Sequence, residues 1–375
     1  MVHGGTMSFE TIQTILTSLT VGISKHGLNH DTDKSYDRLP APDFVPQLSS
    51  VTSALGALRW YSRVSRRIHP GITLLSLKRR VFFVLHCIRF GGVLRRWNAG
   101  QDGIALKREL DQWPEIIAFV ERPYLNVTWS AEQRLAVLQT HYGIVDAGPP
   151  ILRMSNSDRV SLLKLDHVHP GLSVVLDRPV WQRWEGEVVI SLFDGEERIY
   201  LLSFTLGAIA GENMAYVGSV KGGAQSDMLD TYRTLTHELH GMRPRDLLFA
   251  CFRLFCQELG IKRILAVSDA ARLHRSPYLR NYVRTYVQMF SNYDDIWAAF
   301  GGLPSNGSFF DIGVPIAYRS HEQIPPRKRA QYRRRYEMLK SISAQIAEIV
   351  AVGHPTTSPF TEGYGNPEKP CNFSA

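Results

Sequence analysis

Residues 215–269 read AYVGSVKGGAQSDMLDTYRTLTHELHGMRPRDLLFACFRLFCQELGIKRILAVSD, and this stretch decides the fold. Its apolar runs at residues 215–220 and 264–267 predict two buried strands. Between them, apolar residues recur every three or four positions in two blocks, which predicts two helices. Gly241 is suited to ending the first helix and Pro244 to opening the second. The sequence therefore predicts two parallel strands joined by a helical crossover, a unit with one strongly preferred hand.

Polar residues stand at the corners of this unit where ligands bind, outside the carboxyl ends of the strands and at the start of the crossover helix. The candidate binding residues at these corners are Lys221, Gly222, Gly241, Arg243, Arg245 and Ser268. Free backbone N–H groups and the helix dipole favour an anion at the helix start, and Lys221, Arg243 and Arg245 add three positive charges. We therefore predict a phosphate or pyrophosphate site. The alternative is that these cations pair with neighbouring acids on the surface.

The composition is that of a globular protein of one large or two modest domains. Hydrophobic residues make up 44% of the 375 residues and charged residues 21%. The net charge of +8 admits nucleic acid, an anionic membrane face or an anionic substrate as partners. Four cysteines are too few for a disulfide framework, which indicates a reducing compartment.

Targeting signals are weak. The apolar stretch at residues 12–23 lacks a basic start and is broken by Thr and Ser, so it makes a poor signal peptide. The sequence contains no run of about 18 apolar residues, so it predicts no membrane-spanning helix. We expect a cytoplasmic protein that either stays free or binds peripherally to the inner membrane.

The fold class predicted for the whole chain is α/β (α+β), with an N-terminal helical region before a mixed sheet with flanking helices. Asp194-Gly195 between the apolar runs 188–193 and 198–205 predicts a hairpin, residues 172–176 a first strand, and residues 310–318 a final strand. We divide the chain into a mostly disordered segment 1–48, a helical region 49–145, a mixed α/β core 146–320, a basic helix 321–352 and a disordered tail 353–375.

Two segments are strongly basic. Residues 72–97 interleave apolar and basic residues without one acid, which fits a helix lying in an anionic lipid interface. A core helix whose arginines line a solvated edge fits as well, and we favour it because the apolar residues cover more than one side. Residues 327–340 are typical of a solvated basic helix, and with few aromatic residues among them nucleic acid is not the leading partner.

Three residues are candidates for acid–base chemistry by their placement. His240 or Asp269 could deprotonate an acceptor, and Tyr282 could protonate a leaving group. Tyr282 belongs to an aromatic stripe at helical spacing, for which packing is the simpler explanation. His237 and His240 are three residues apart rather than four and lack a further ligand downstream, so we expect no metal.

The block from about residue 186 to residue 335 resembles the VirK/YbjX family of Gram-negative bacteria. The motifs that carry the resemblance are YVGSVKG at residues 216–222, LHGMRP at 239–244, LGI at 259–261 with Val267-Ser268, and the arginine-rich stretch 325–336. The resemblance implies a link to virulence, envelope integrity and tolerance of antimicrobial peptides. It implies no established reaction.

The order of elements is similar to that of the GNAT acyltransferases, in which the helix start after the fourth strand grips the pyrophosphate of coenzyme A. Residues 240–245 would take that place here, although the Arg/Gln-x-x-Gly-x-Gly/Ala signature is absent and an extra helix intervenes. This likeness implies an acyltransferase that uses acyl-coenzyme A or a carrier-type donor, a phosphate-bearing small molecule. The alternative function is non-enzymatic, a peripheral membrane or partner-binding protein that uses the two basic segments.

Overall fold

A computed structural model gives the structure of residues 54–99, 103–156, 158–223, 228–280 and 292–353. The predicted disordered segment 1–48 and all but the first residue of the tail 353–375 lie outside these described residues. The chain divides into two compact units. One comprises Met1–Arg122 with Ala131–Gly143, and the other Pro123–Ser130 with Ile144–Ala375.

The first unit is helical. Its helices are α1 (Ala54–Ile68), α2 (Leu74–Arg89), α3 (Gly91–Asn98), α4 (Ile104–Gln112), a 3-10 segment (Pro114–Val120) and the greater part of α5 (Ala131–Ala147). α1 buries side chains at helical spacing, among them Leu58, Tyr61 and Ile68. Inside the unit, the His69 Nε2 atom lies 2.8 Å from the Glu121 carboxylate.

The second unit is built on a mixed sheet of eight strands. Its strands are β1 (Arg159–Lys164), β2 (Leu172–Asp177), β3 (Val188–Asp194), β4 (Glu197–Ile209), β5 (Glu212–Gly222), β6 (Arg263–Val267), β7 (Leu303–Ser305) and β8 (Phe309–Gly313). Their order across the sheet is β1-β2-β3-β4-β5-β6-β8-β7. β5 and β6 are parallel, and the other neighbours are antiparallel.

The helices of the second unit follow the predicted order. They are α6 (Met228–Glu238), α7 (Pro244–Glu258), α8 (Pro277–Arg280), α9 (Tyr293–Ala299) and α10 (Arg329–Val352). α7 packs on the sheet through aromatic side chains, and the Phe252 ring lies 4.9 Å from that of Phe204 in β4. We call this side of the sheet the helix face. The opposite side, which carries Thr205 and Tyr216, is covered by residues 123–130 and 178–187, and we call it the loop face.

The strand–helix–helix–strand unit and the hairpin at Asp194-Gly195 are confirmed. Two predictions about strands are wrong. The first strand is β1, and residues 172–176 belong to the second strand, β2. The burial of β1 alternates over only four residues, which is at the lower limit of the pattern that predicts a strand. The final strand ends at Gly313 rather than at residue 318, because Pro315 has no N–H to donate to a neighbouring strand.

No helix among the described residues is both long and apolar enough to cross a membrane.

Candidate functional site

The carboxyl ends of the parallel strands β5 and β6 form an irregular junction. β5 pairs with β6 only as far as Val217 and then continues to Gly222. Beyond this point the Tyr293 hydroxyl of α9 takes the place of a strand, since it donates to the Val220 carbonyl at 3.0 Å and accepts from the Val220 N–H at 3.0 Å. The Trp297 indole donates to the Val267 carbonyl at 2.8 Å. Ligands bind at such strand ends in α/β sheets, so this junction is a candidate binding site.

Register places the predicted cations on opposite sides of the sheet. Lys221 is paired with Leu201 and shares the loop face with Ser219. Gly222 is paired with Tyr200 on the helix face, where a Cβ atom at Gly222 would lie only 2.7 Å from the Tyr232 hydroxyl. Arg243 and Arg245 stand at the start of α7, which packs on the helix face. Burial raises the pKa of Tyr200 on this face, and the charges of Arg245 and Arg243 act against that rise. The sheet thus separates Lys221 from Arg243 and Arg245, and they do not form one cradle.

The loop face carries a group of polar side chains at the strand ends, which we call the strand-end cluster. Its members are Gln182, Glu185, Ser219, Lys221, Asp269, Arg272 and His274. Two glycines allow residues 178–187 to press directly on the strands. A Cβ atom at Gly218 would lie 2.0 Å from the Glu185 carbonyl oxygen, and one at Gly186 would lie 2.6 Å from the Phe204 nitrogen.

Lys221 is held by its neighbours in this cluster. Its ammonium forms an ion pair with Glu185 and donates to the Gln182 amide oxygen at 3.3 Å. The Gln182 amide nitrogen in turn donates to the Ser219 hydroxyl at 2.8 Å. Burial raises the pKa of Glu185, but the Lys221 ammonium outweighs it and brings the pKa below its usual value. Lys221 is therefore already paired with a carboxylate and is not a free cation that could bind a phosphate.

Asp269 is held by arginines. Its carboxylate lies 3.0 Å from Arg272 and 2.5 Å from Arg275. Burial raises its pKa, but the hydrogen bonds from Arg275 and Arg272 prevail and lower it. The Arg272 guanidinium also lies 3.4 Å from the centre of the Tyr293 ring. This carboxylate therefore organises the junction and is a poor proton acceptor. Ser268, the preceding residue, is buried and donates its N–H to the Ser308 carbonyl at 2.9 Å.

His274 is the histidine of the cluster, and its pKa is lowered. Burial lowers its pKa to about 4, with Arg272 and Arg275 acting in the same direction against Asp269 and Glu185. The imidazole is therefore neutral at physiological pH, and the neighbouring arginines favour this neutral form.

The depressed pKa of His274 predicts acid destabilisation. Because the folded-state pKa of about 4 is below the ordinary value of 6.5, the unfolded chain binds the proton more tightly. The contribution of His274 to the free energy of unfolding is present above pH 6.5 and is lost as the pH falls towards 4. The loss is on the order of 2 kcal/mol after allowance for partial solvent exposure. Urea unfolding between pH 7 and pH 4.5 measures the loss. His274→Asn should lose less stability over this range, and parallel curves for the two proteins would refute the assignment.

Cysteine chemistry has no support among the described residues. Cys87, Cys251 and Cys256 are buried free thiols. Burial raises the pKa of Cys251 to about 12 and raises the pKa values of the other two as well. They stay protonated at neutral pH and are poor nucleophiles.

On the helix face, the start of α7 concentrates positive charge. Arg243 is its N-cap residue, and the Arg243 side chain makes no capping hydrogen bond at the start of this 15-residue helix. Arg243 is exposed, and the Arg245 guanidinium lies 5.7 Å from the Phe300 ring centre and 3.5 Å from Asp246. A free helix start with two arginines is an arrangement that binds phosphate.

The basic helix α10 adds a third arginine at this point. Arg335 donates to the His240 carbonyl at 2.8 Å, in the turn between α6 and α7. His240 and Gly241 both adopt positive φ values, of 54° and 77°. The φ of 77° favours glycine at this position, and a Cβ atom there would also displace the Gln331 side chain, whose amide nitrogen would lie 2.5 Å away. Two motifs that are far apart in the sequence, residues 239–244 and 325–336, thus meet here. We call Arg243, Arg245 and Arg335 the cationic corner.

His240 lines an open pocket of about 370 Å³ beside this corner. The other lining residues are His167, Val168, Glu238, Arg334, Glu337, Met338 and Ser341. Glu238 itself is 2.6 Å from His169. His240 thus lines the pocket and, through its carbonyl, accepts the hydrogen bond from Arg335 of the cationic corner.

Of the predicted site residues, Gly241, Arg243, Arg245 and His240 come together on the helix face. Lys221, Ser268 and Asp269 lie at the strand ends, and Gly222 lies at the end of β5 on the helix face. Tyr282 lies outside the described residues.

The members missed by sequence reasoning are Gln182, Glu185, Arg272 and His274. A signal for the first two existed, since residues 177–187 carry five charged residues and two tryptophans between two apolar strands.

Comparison with known proteins places the chain in a family. The family model described as "Protein of unknown function (DUF535)" matches residues 74–348. The chain is 28% identical over 257 residues to "Uncharacterized protein YbjX" of Escherichia coli K12, which covers 64% of this chain and 77% of that protein. Two uncharacterized proteins of Haemophilus influenzae are 23% and 26% identical over 207 and 188 residues. These alignments cover 55% and 50% of this chain and 63% and 60% of the relatives.

No solved structure matches the chain. The family model covers both the helices that begin with α2 and the sheet with its two candidate sites. The chain therefore belongs to the DUF535 family, as its resemblance to YbjX predicted.

Proposed function

We propose that the protein transfers an acyl group from a coenzyme A- or carrier-type donor, whose phosphates bind at the cationic corner. The observation that carries the proposal is the start of α7, where the N-cap side chain makes no capping hydrogen bond. Arg243 and Arg245 lie at this start, and Arg335 bonds the turn that precedes it. Fixed cations and backbone N–H groups bind phosphate without reorganising, which is how a preorganised site lowers the energy of a bound anion.

The order of elements supports this proposal. Antiparallel strands lead into β5, a helical crossover returns to the parallel strand β6, and a helix precedes the last strands. The GNAT acyltransferases share this order, and in them the corresponding helix start grips the pyrophosphate of coenzyme A. Two departures stand against it, namely the absent glycine signature and the additional helix α6.

His240 is the proposed general base, because it lines the open pocket beside the cationic corner. Asp269 is less suited to this role, since Arg272 and Arg275 hold its carboxylate. In the reaction an acceptor amine or hydroxyl attacks the thioester carbonyl, the carbon–sulfur bond breaks, and His240 takes the acceptor proton. The leaving thiolate receives a proton, for which Tyr282 is the proposed donor.

The link to virulence, envelope integrity and antimicrobial-peptide tolerance implied by the resemblance belongs to the same proposal.

Thermal unfolding with added ligand tests the donor site. Coenzyme A at 100 times its dissociation constant should stabilise the protein by about 2.7 kcal/mol, which gives a clear rise in Tm. Arg243→Ala should lose most of this rise because it removes an exposed cation from the helix start. Arg233→Ala is the matched control, since Arg233 is an exposed arginine of α6 paired only with Asp230 among the ion pairs of the described residues.

The ligands are coenzyme A, an acyl-coenzyme A and ATP. A rise with the coenzyme A species that Arg243→Ala abolishes and Arg233→Ala preserves supports the proposal. An equal rise in all three proteins contradicts the assignment of the cationic corner, and no rise with any ligand contradicts the donor class.

A further inference from the structure

Helix α2 of the first unit exposes an apolar stripe along its whole length. Leu75, Lys78, Phe82, Leu85 and Arg89 follow one another at intervals of three or four residues, and all are exposed. The exposed fractions are 56% for Leu75, 50% for Phe82 and 41% for Leu85. Leu74 and Ile72, at the start of the helix, are 86% and 80% exposed. Single exposed leucines are ordinary, but a continuous stripe of this kind marks an interaction surface.

The opposite side of α2 is fully packed. Phe83, Val84 and Cys87 are buried there, and the Phe83 ring lies edge-on to the His69 ring at 6.4 Å. The helix start is fixed as well, since Thr73 accepts from the Ser76 N–H at 3.1 Å and Arg80 donates to the His69 carbonyl at 3.0 Å. The helix is thus firmly seated through one side. Residues 72–97 form two helices, α2 and α3, rather than one, and the core interpretation is right for the buried side of α2 alone.

Charge indicates what covers the exposed side. Residues 71–99 contain no acidic residue. Lys78 and Arg89 stand within the stripe itself, and the Lys78 ammonium lies 5.9 Å from the Phe82 ring centre. Long basic side chains can extend from an apolar surface to the headgroups of a lipid layer.

We propose that α2 docks on an anionic lipid surface, with Leu75, Phe82 and Leu85 in the acyl boundary and Lys78 and Arg89 among the phosphates. An amphipathic helix with apolar and basic residues on one exposed side lies in the interface plane in this way. A second copy of the same face is a poorer partner, because it would bring Lys78 and Arg89 against like charges. The docking is independent of the proposed acyl transfer, since it uses residues of the other unit.

Co-sedimentation of the full chain with vesicles tests the docking. One vesicle contains equal parts phosphatidylcholine and phosphatidylglycerol, and the other phosphatidylcholine alone. The protein should pellet with the anionic vesicles at low salt, and added salt should weaken the binding. Leu75→Ser with Phe82→Ser should lower the partition coefficient by at least about tenfold. Lys78→Gln with Arg89→Gln should remove the preference for phosphatidylglycerol.

The matched control is Leu229→Ser with Leu303→Ser, two leucines that are 65% and 71% exposed in the second unit. This pair should bind vesicles as the unaltered protein does. All variants should keep the unaltered Tm, because they replace exposed side chains.

Three results would overturn the proposal. One is no pelleting with anionic vesicles, and another is an equal loss in the control pair. The third is a dimer in sedimentation velocity that Leu75→Ser with Phe82→Ser abolishes, because a second copy would then cover the stripe.

Discussion

Gly218→Ala should destabilise the protein by about 3 kcal/mol or more, and it should prevent accumulation of folded protein if the sheet cannot adjust. A Cβ atom at Gly218 would lie 2.0 Å from the carbonyl oxygen of Glu185 and 2.9 Å from its carbonyl carbon. Both atoms are backbone, so no side chain can move aside. Residues 178–187 would have to lift off the loop face, and the strand-end cluster would come apart with them. Urea unfolding of the purified variant measures the loss.

Gly313→Ala is the control for this prediction. Gly313 is the last residue of β8, and a Cβ atom there would meet nothing within 4 Å. Its effect should stay within about 0.5 kcal/mol, as for most surface substitutions. Equal stability of the Gly218→Ala and Gly313→Ala proteins would show that residues 178–187 do not lie against β5.

Glu187→Gln should cost about 3 to 5 kcal/mol, because it removes the carboxylate charge that faces a buried guanidinium. The Arg178 side chain is 6% exposed and the Glu187 side chain 0%. Arg178 donates to the Glu187 carboxylate at 3.2 Å and to the carbonyls of Glu187 and Met154 at 3.1 Å each. These contacts hold the start of residues 178–187 against the loop face. The substitution should therefore lower the free energy of unfolding.

Two companion variants make this prediction specific. Arg178→Met with Glu187→Leu removes both charges and should regain much of the loss, since a buried pair contributes little beyond its apolar replacement. Asp230→Asn breaks the exposed Arg233–Asp230 pair, whose side chains are 77% and 81% exposed, and should change the free energy of unfolding by less than about 1 kcal/mol. A Glu187→Gln protein as stable as the Asp230→Asn protein would contradict the buried pair.

Local chemistry explains why much of the second unit could be predicted from the sequence. Gly241 and Pro244 punctuate the two crossover helices because of their own backbone preferences, and Asp194-Gly195 sets the hairpin in the same way. The cations at the start of α7 were predicted because they stand beside a recognisable helix start. Arg335 was not placed there, since its contact with His240 spans 95 residues of sequence.

The strand-end cluster could not be predicted, for two physical reasons. Residues 178–187 look like an exposed charged loop, and their burial depends on the glycines at 186 and 218 that let the backbone approach the sheet. The side of the sheet to which Lys221 points depends on strand register, and a shift of one residue would reverse it. The register itself shifts between Ser203 and Phe204, which no local pattern announces.

The central claim is that the cationic corner binds the phosphates of an acyl donor. The most direct test is isothermal titration of the full chain with coenzyme A and, separately, with pantetheine, which carries the same thiol arm without the phosphates. The account predicts that coenzyme A binds, that pantetheine does not bind measurably, and that Arg243→Ala weakens only the binding of coenzyme A. Equal binding of the two ligands, or binding of coenzyme A that Arg243→Ala leaves unchanged, would contradict it.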